Sequence, residues 1–272
     1  MKADLHHHPL IRHLRSTTDI GEDDVRLLLD LPMTEKKVGR GHEIFGEGEH
    51  LTRCCLILQG YAARYRVLRN GSRQIVAFNV PGDVPDLQSL HLKTMDHSLI
   101  TLDPTRLALI PHDAMRELIR RNDGVADALW RRTLIDGAIL REWVTGLGRK
   151  PAQAQARIAH ILCELMARIS IIEVDDQSEI SLPITQNELG DALGLSYVHV
   201  NRILQDFSRD GTLDFRRKML TIHKWDRLQN IAEFDPSYLH FTQPPESVLL
   251  SLSAFSSRVS GPASSDVRPT SG

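Results

Sequence analysis

Between Ile184 and Trp225 the apolar positions fall into two helical stripes followed by two short strands. Leu189, Ala192 and Leu193 recur three and four residues apart. They follow Thr185, which has Glu188 three residues on, so a helix opening with a reciprocal capping box is predicted, and Gly194 suits its left-handed end. Ser196 caps a second helix, striped by Val200, Ile203, Leu204 and Phe207. Two short helices joined at a glycine read as a helix-turn-helix. Beyond Gly211, Thr212 to Asp214 and the alternating Leu220 and Ile222 flank Arg216, Arg217 and Lys218, the pattern of a two-stranded wing with a basic tip.

Upstream, from about Lys37 to Ile110, the period is that of strands broken by glycine turns, which predicts an antiparallel β-roll or barrel. Leu56 to Leu58, Tyr61 to Leu68 and Gln74 to Val80 read as successive antiparallel strands, with turns at Asn70-Gly71 and Pro81-Gly82. Asp19 is placed to cap a short helix carrying Val25, Leu27 and Leu28 inward, and Asp113 to cap another. From about Asn122 to Leu147 one long helix is expected. Along it Ala126, Trp130, Thr133, Gly137, Leu140, Val144 and Leu147 recur at alternating spacings of four and three, a heptad seam suited to a partner helix of the same kind. A second stripe, Val125, Leu129, Ile139 and Trp143, is left for the roll. The alternative is a helix buried within one chain.

Gly146, Gly148 and Pro151 mark a hinge before a helix from Ala152 to Ile169, and Asp175 to Ser181 reads as a polar loop. A short helix after Trp225 and the segment Phe234 to Phe241 are expected against the wing. The fold class is therefore α+β: a flexible N-terminus (1–18), a β-roll (19–121), a long dimerisation helix (122–148), a winged helix-turn-helix (149–241) and a disordered tail (242–272) rich in Ser, Pro and Gly.

At 272 residues and 41% hydrophobic the chain is large enough for real cores. The net charge of −2 disguises a local contrast, for between Ser196 and Lys224 six Lys or Arg stand against three Asp. No apolar run is long enough to cross a membrane and the N-terminal stretch lacks the apolar segment of a secretory signal, so a cytoplasmic protein is expected. Cys54, Cys55 and Cys163 fit reduced thiols. Cys54 and Cys55 are neighbours on a strand and point to opposite faces, which disfavours shared ligation of a metal. His6, His7 and His8 can bind a metal or lie in a solvated terminus; no cofactor is identified and no metal site is assigned.

With Val200, Ile203 and Leu204 inward, the start of the second helix presents Tyr197, Val198, Asn201, Arg202 and Gln205 outward, the end such a helix offers to the major groove of double-stranded DNA. The forked donors of Arg202 match guanine O6 and N7, and Asn201 suits an adenine. Thr185, Ser196, Tyr197, Val198, His199, Asn201, Arg202, Arg216, Arg217 and Lys218 are the candidate DNA contacts, the wing residues meeting phosphate.

ITQNELGDALGLS, the VNRIL of the second helix and the DG before the wing together resemble the DNA-binding domain of the Crp/Fnr family, which includes the cyclic-AMP receptor protein and the fumarate and nitrate reduction regulator. Arg202 falls where that family carries its base-reading arginine; Val198 falls where many members carry a glutamate, and a valine accepts no hydrogen bond. The roll is similar to the family's cyclic-nucleotide-binding domain in the order Gly48, Leu58-Gln59-Gly60, Asn70-Gly71, Pro81-Gly82-Asp83. Where nucleotide-binding members hold ribose with Gly-Glu-Leu and phosphate with Arg-Ser, this chain has Pro85-Asp86-Leu87 and His97-Ser98. A neutral histidine offers a phosphate one hydrogen bond and no fixed charge, and Pro85 removes an amide donor. An iron-sulfur cluster needs four cysteines against the three present. Asp86, His91, His97 and Ser98 are left either to bind another small molecule or to fill the pocket themselves.

The resemblance implies a homodimeric transcription regulator that reads an inverted repeat with the helix from 196 to 209, responds to an unidentified effector at the roll and contacts RNA polymerase. A member responding to a cyclic nucleotide or to haem is the alternative, with His42, His50, His91, His97 and His112 as possible axial ligands. A cupin-like metalloenzyme is a remote one, because the roll holds no His-x-His pair.

Overall fold

The computed structural model describes residues 7–148, 153–172 and 179–242. Two antiparallel sheets form the roll. In one, β1 (Thr34–Val38) and β3 (Arg53–Gln59) flank β7 (Thr105–Pro111); in the other, the order is β2 (Glu43–Phe45), β6 (Ser98–Thr101), β4 (Ala62–Val67), β5 (Arg73–Asn79). Only β4 and β5 pair as a hairpin across Asn70-Gly71. The three strands expected to be successive neighbours are thus split, with β3 pairing β7 instead. The reason lies at Gly60, where the chain turns with φ +87 directly against Thr105, Asp103 and Pro104 and crosses to the second sheet. Cys54 and Cys55 are free and buried on opposite faces of β3, in separate apolar clusters.

Helix α3 (His112–Arg121) follows the roll with Asp113 in its first turn, but no side chain caps it; likewise α2 (Glu22–Leu29) starts at Gly21 rather than being capped by Asp19, and its Leu27 is exposed. The long helix α4 (Asp123–Leu147) begins where expected, with the Asn122 side chain accepting from the Val125 amide. Its Val125 and Leu129 join the cluster under the first sheet. Ile139 and Trp143 join a larger core that runs from Tyr61, Ile75 and Phe78 of the roll through α5 (Ala154–Ser170) into the C-terminal domain. There α6 (Gln186–Leu193), α7 (Tyr197–Arg209), β9 (Leu213–Arg216) and β10 (Met219–Ile222) build the winged unit, and α8 (Trp225–Ala232) packs on α5.

Three further expectations change. Pro9–Thr17 lies in the stretch expected to be flexible, yet it forms a helix, α1: Pro9 sits at its first position, and Leu10, Ile11 and Leu14 supply a buried i, i+1, i+4 stripe. Glu179–Ser181, in the expected polar loop, is a strand, β8, that pairs with β10 because Ile180 has an apolar seat between polar neighbours. The segment after α8 packs on α4 and α5 rather than the wing, held by the Tyr238 hydroxyl donating to Glu164 (3.1 Å). Residues 149–152 around the expected hinge, His6 of the N-terminal histidine run, residues 173–178, which include the start of the expected polar loop, and residues 243–272 of the expected tail lie outside the described residues.

Candidate nucleic-acid interface

Both caps form as the residue types demand. Thr185 Oγ1 accepts from the Glu188 amide (3.2 Å) while Glu188 Oε2 accepts from the Thr185 amide (2.7 Å); Ser196 Oγ accepts from the His199 amide (3.3 Å). Between the helices Gly194 is left-handed (φ +64), and a Cβ on Gly190 would stand 2.5 Å from the Leu195 carbonyl oxygen. Gly190 therefore sets how closely α6 meets the turn. Nothing in the helical period signals it, because a glycine inside a helix reads only as a weak position.

The stripe Val200, Ile203, Leu204 and Phe207 is buried, and Tyr197 (52%), Val198 (74%), Arg202 and Gln205 stand exposed. Arg202 has no hydrogen-bond or ion-pair partner among the described residues. Asn201 differs from expectation: its amide donates to Gln186 Oε1 (2.9 Å) and accepts from Gln205 Nε2 (2.9 Å), so it links the two helices instead of standing ready for a base. Thr185 is half-buried and spent on the cap. A concavity of about 550 Å³ opens between α7 and the wing, lined by Gln186, Asn201, Gln205, Ser208, Arg209 and Arg216.

The wing turns through Arg217 (φ +51) and Lys218 (φ +66), a two-residue hairpin of left-handed residues. Asn-Gly is favoured there, and holding non-glycine residues at positive φ costs of the order of 1 kcal/mol each. Two cations are thus kept at a strained, exposed tip. Arg216 is tethered beside them by Ser208 (2.9 Å) and Asp214 (3.3 Å), which the side-chain contact with Ser208 and His223 holds below the usual carboxylate range.

The winged unit is seated on the roll. Arg40 donates to Glu188 (2.8 Å) and the Pro183 carbonyl (3.1 Å), Arg73 to Asp191 (2.8 Å), Gln74 to the Ala192 carbonyl (3.1 Å) and the Tyr61 hydroxyl to the Ser181 carbonyl (3.0 Å). Beneath them lies a buried charge cluster. Asp83, 2% exposed, accepts from Arg168 (2.8 Å), Arg132 (3.0 Å) and the Val80 amide (3.0 Å). His13 Nδ1 lies 3.2 Å from it, close but without hydrogen-bond alignment. Burial pushes the Asp83 carboxyl up, but Arg168 and Arg132 outweigh it and hold the group well below the usual range. Burial, aided by Arg132, pushes His13 down to about 3. Arg132 also donates to Asp136 (2.9 Å), and Arg168 to Glu164 (3.2 Å), which receives the Trp143 indole N–H (2.9 Å).

The four residues proposed for an effector are engaged singly. Asp86 accepts the Cys55 amide on both oxygens (2.9 and 3.0 Å), and burial raises its carboxyl to about 7. Ser98 accepts from the Glu47 amide (2.9 Å); His97 pairs with Asp96 (2.8 Å) and meets Phe45 edge to face; His91 is exposed. Phe45, Cys55, Ile57, Met95 and Leu99 fill the interior nearby. On α4, Trp130 (64%), Val144 (61%), Leu140 and Leu147 of the seam are exposed, and so is Leu134, which the heptad reading omitted. Thr133 is exposed too, and Ala126 and Gly137 are half-buried.

Residues 35–122 match the cyclic nucleotide-binding domain family, and residues 156–231 match the Crp-like helix-turn-helix domain family. The two matches cover the roll and the winged unit in the order the structure places them. The chain belongs to the Crp/Fnr family. Among Crp/Fnr relatives it is similar to the regulatory protein HlyX of Actinobacillus pleuropneumoniae, 24% identical over 77% of this chain and 86% of that one. It is also similar to the fumarate and nitrate reduction regulatory protein of Escherichia coli K12, 22% identical over 78% and 84%. Of solved structures, FixK2 from Bradyrhizobium japonicum superimposes with a TM-score of 0.66 at 27% identity, covering 74% of this chain and 98% of its own. A Crp/Fnr member is a transcription regulator that binds DNA through its helix-turn-helix, and its relatives are regulators rather than enzymes. Among the described residues no helix is long and apolar enough to cross a membrane, and no group of three or more His, Cys, Asp or Glu is placed to hold a metal.

Proposed function

We propose that two copies of the chain pair along α4 and read an inverted repeat in double-stranded DNA. The exposed apolar seam carries this reading: Trp130, Leu134, Leu140, Val144 and Leu147 follow one another at helical spacing on a side that the chain's own core leaves uncovered. Ala126, Thr133 and Gly137 complete it, and the half-buried Gly137 admits close approach. A two-fold axis there sets two α7 helices to enter successive major grooves about 34 Å apart. Arg202 reads a guanine; Tyr197, Val198 and His199 line the groove; Ser196 and Thr185 lie at helix starts, where backbone amides meet phosphate. Arg216, Arg217 and Lys218 hold the flanking backbone. Asn201 braces the reading surface through Gln186 and Gln205.

Control enters through the roll, from a small molecule or a protein. A ligand reaching Asp86, His97 or Ser98 displaces an internal contact, and that change of packing travels by β5 and α4 to the winged unit. RNA polymerase is the partner in the cytoplasm that such a regulator addresses. Selection of bound sites from a random DNA pool, followed by footprinting, tests the whole. The expected site is an inverted repeat, Leu140→Arg converts the protein to a monomer with weakened binding, and Arg202→Ala abolishes discrimination at the guanine pair. An asymmetric footprint, or a guanine preference that survives Arg202→Ala, overturns the proposal.

A further inference from the structure

Val198 is the most exposed of the large apolar residues in the described chain at 74%, and it stands in the first turn of the helix proposed to enter the groove. Arg202 follows at i+4 and Gln205 at i+7, so the three share one face with Asn201 beside them. Asn201 is tied to Gln186 and Gln205 on both sides of its amide, which withdraws the obvious adenine reader. What remains free on this face is one cation and one branched apolar side chain.

The major groove offers an apolar group at a single base, the C5-methyl of thymine; every other base edge there presents a donor or acceptor that an isopropyl group would strip of water. We propose that Val198 specifies a thymine by contact with this methyl, within two base pairs of the guanine read by Arg202. The spacing fits: four residues of helix advance about 6 Å, and two base-pair steps about 7 Å at 3.4 Å each. The amide chain from Gln186 through Asn201 to Gln205 braces α7 against α6, so that Val198 arrives at a fixed depth. This inference rests on the DNA-reading role of α7 proposed above.

The test uses the full-length protein and its selected site, with each thymine of one half-site replaced in turn by deoxyuridine, which removes the methyl and nothing else. One thymine within two base pairs of the guanine protected by Arg202 loses about fourfold in affinity, the factor for one methyl-sized group withdrawn from contact, and the loss vanishes in Val198→Ala. Val198→Glu shifts the preference at that pair from thymine towards cytosine, whose amino group a carboxylate can accept. Because the side chain is exposed, both variants keep the wild-type melting temperature. A wild-type protein indifferent to every methyl, or a sensitivity unchanged in Val198→Ala, overturns the inference while leaving the DNA-reading role intact. Loss of that role shows separately, as a guanine preference that survives Arg202→Ala.

Discussion

Asp83→Asn isolates the contribution of the charge cluster that joins roll, long helix and winged unit. The substitution keeps the shape and one acceptor oxygen but removes the charge that faces Arg168 at 2.8 Å and Arg132 at 3.0 Å. Leaving a buried ion without its partner costs about 3–5 kcal/mol. Each arginine retains a second carboxylate, Arg132 that of Asp136 and Arg168 that of Glu164, so the lower end applies, about 3 kcal/mol. For a domain of this size that corresponds to a fall in Tm of roughly 6–12 °C. Thermal unfolding at pH 7, followed by circular dichroism and backed by urea titration, measures it. Asp23→Asn is the control: it breaks the exposed pair with Arg26 and is expected to cost under about 1 kcal/mol. If Asp83→Asn unfolds within 1 kcal/mol of wild type, the cluster does not hold the domains together and the reasoning fails.

His13 gives a pH signature. Its folded value is pushed down to about 3, so the unfolded chain takes up the proton first, and stability present above about pH 6.5 is lost as pH falls from there towards 3. Urea titrations at pH 7 and pH 5 are expected to differ by about 2 kcal/mol from this group, a difference missing from His13→Leu; an unchanged acid loss in that variant contradicts it. Gly190→Ala, whose Cβ would collide with a backbone oxygen, is expected to cost about 1–3 kcal/mol and to weaken DNA binding in gel-shift assays. A stabilised variant would show that the turn yields. Arg40→Ala leaves the buried Glu188 with only its capping contacts, about 1–2 kcal/mol. Amide exchange is expected to quicken across residues 183–193 and stay unchanged in β7, whereas uniform protection would mean the seat does not depend on Arg40.

The caps, the turn and the wing of the helix-turn-helix are legible in the sequence because their signals are local. Thr185 with Glu188, Gly194, Ser196 and the wing's alternation each act within four positions, and so does the start of α4 at Asn122. What escaped the sequence depends on partners far along the chain. Asp83 was visible only as the end of a Pro-Gly turn, yet its acceptors serve Arg132 and Arg168, forty-nine and eighty-five positions away. A charged residue on a helix, such as Arg168, shows its burial only once a second element packs over it. Asn201 shows the same limit at the site: its chemistry suits a base, and only the approach of α6 puts Gln186 within reach. Pro9–Thr17 was lost to its composition, since histidine and arginine around a short apolar stripe resemble a solvated end.

The first described helix also touches the last described residue. The Thr242 amide donates to the Ser16 carbonyl (2.7 Å), and Gly82, with φ +92, passes so close under Pro9 that a Cβ would meet its carbonyl oxygen at 2.5 Å. The first and last stretches of the described residues are thus neighbours, one packed on the roll and the other on α4 and α5. A dye at residue 16 and a quencher at residue 242 would make the molecule its own gauge, dark while this contact holds and bright when it opens.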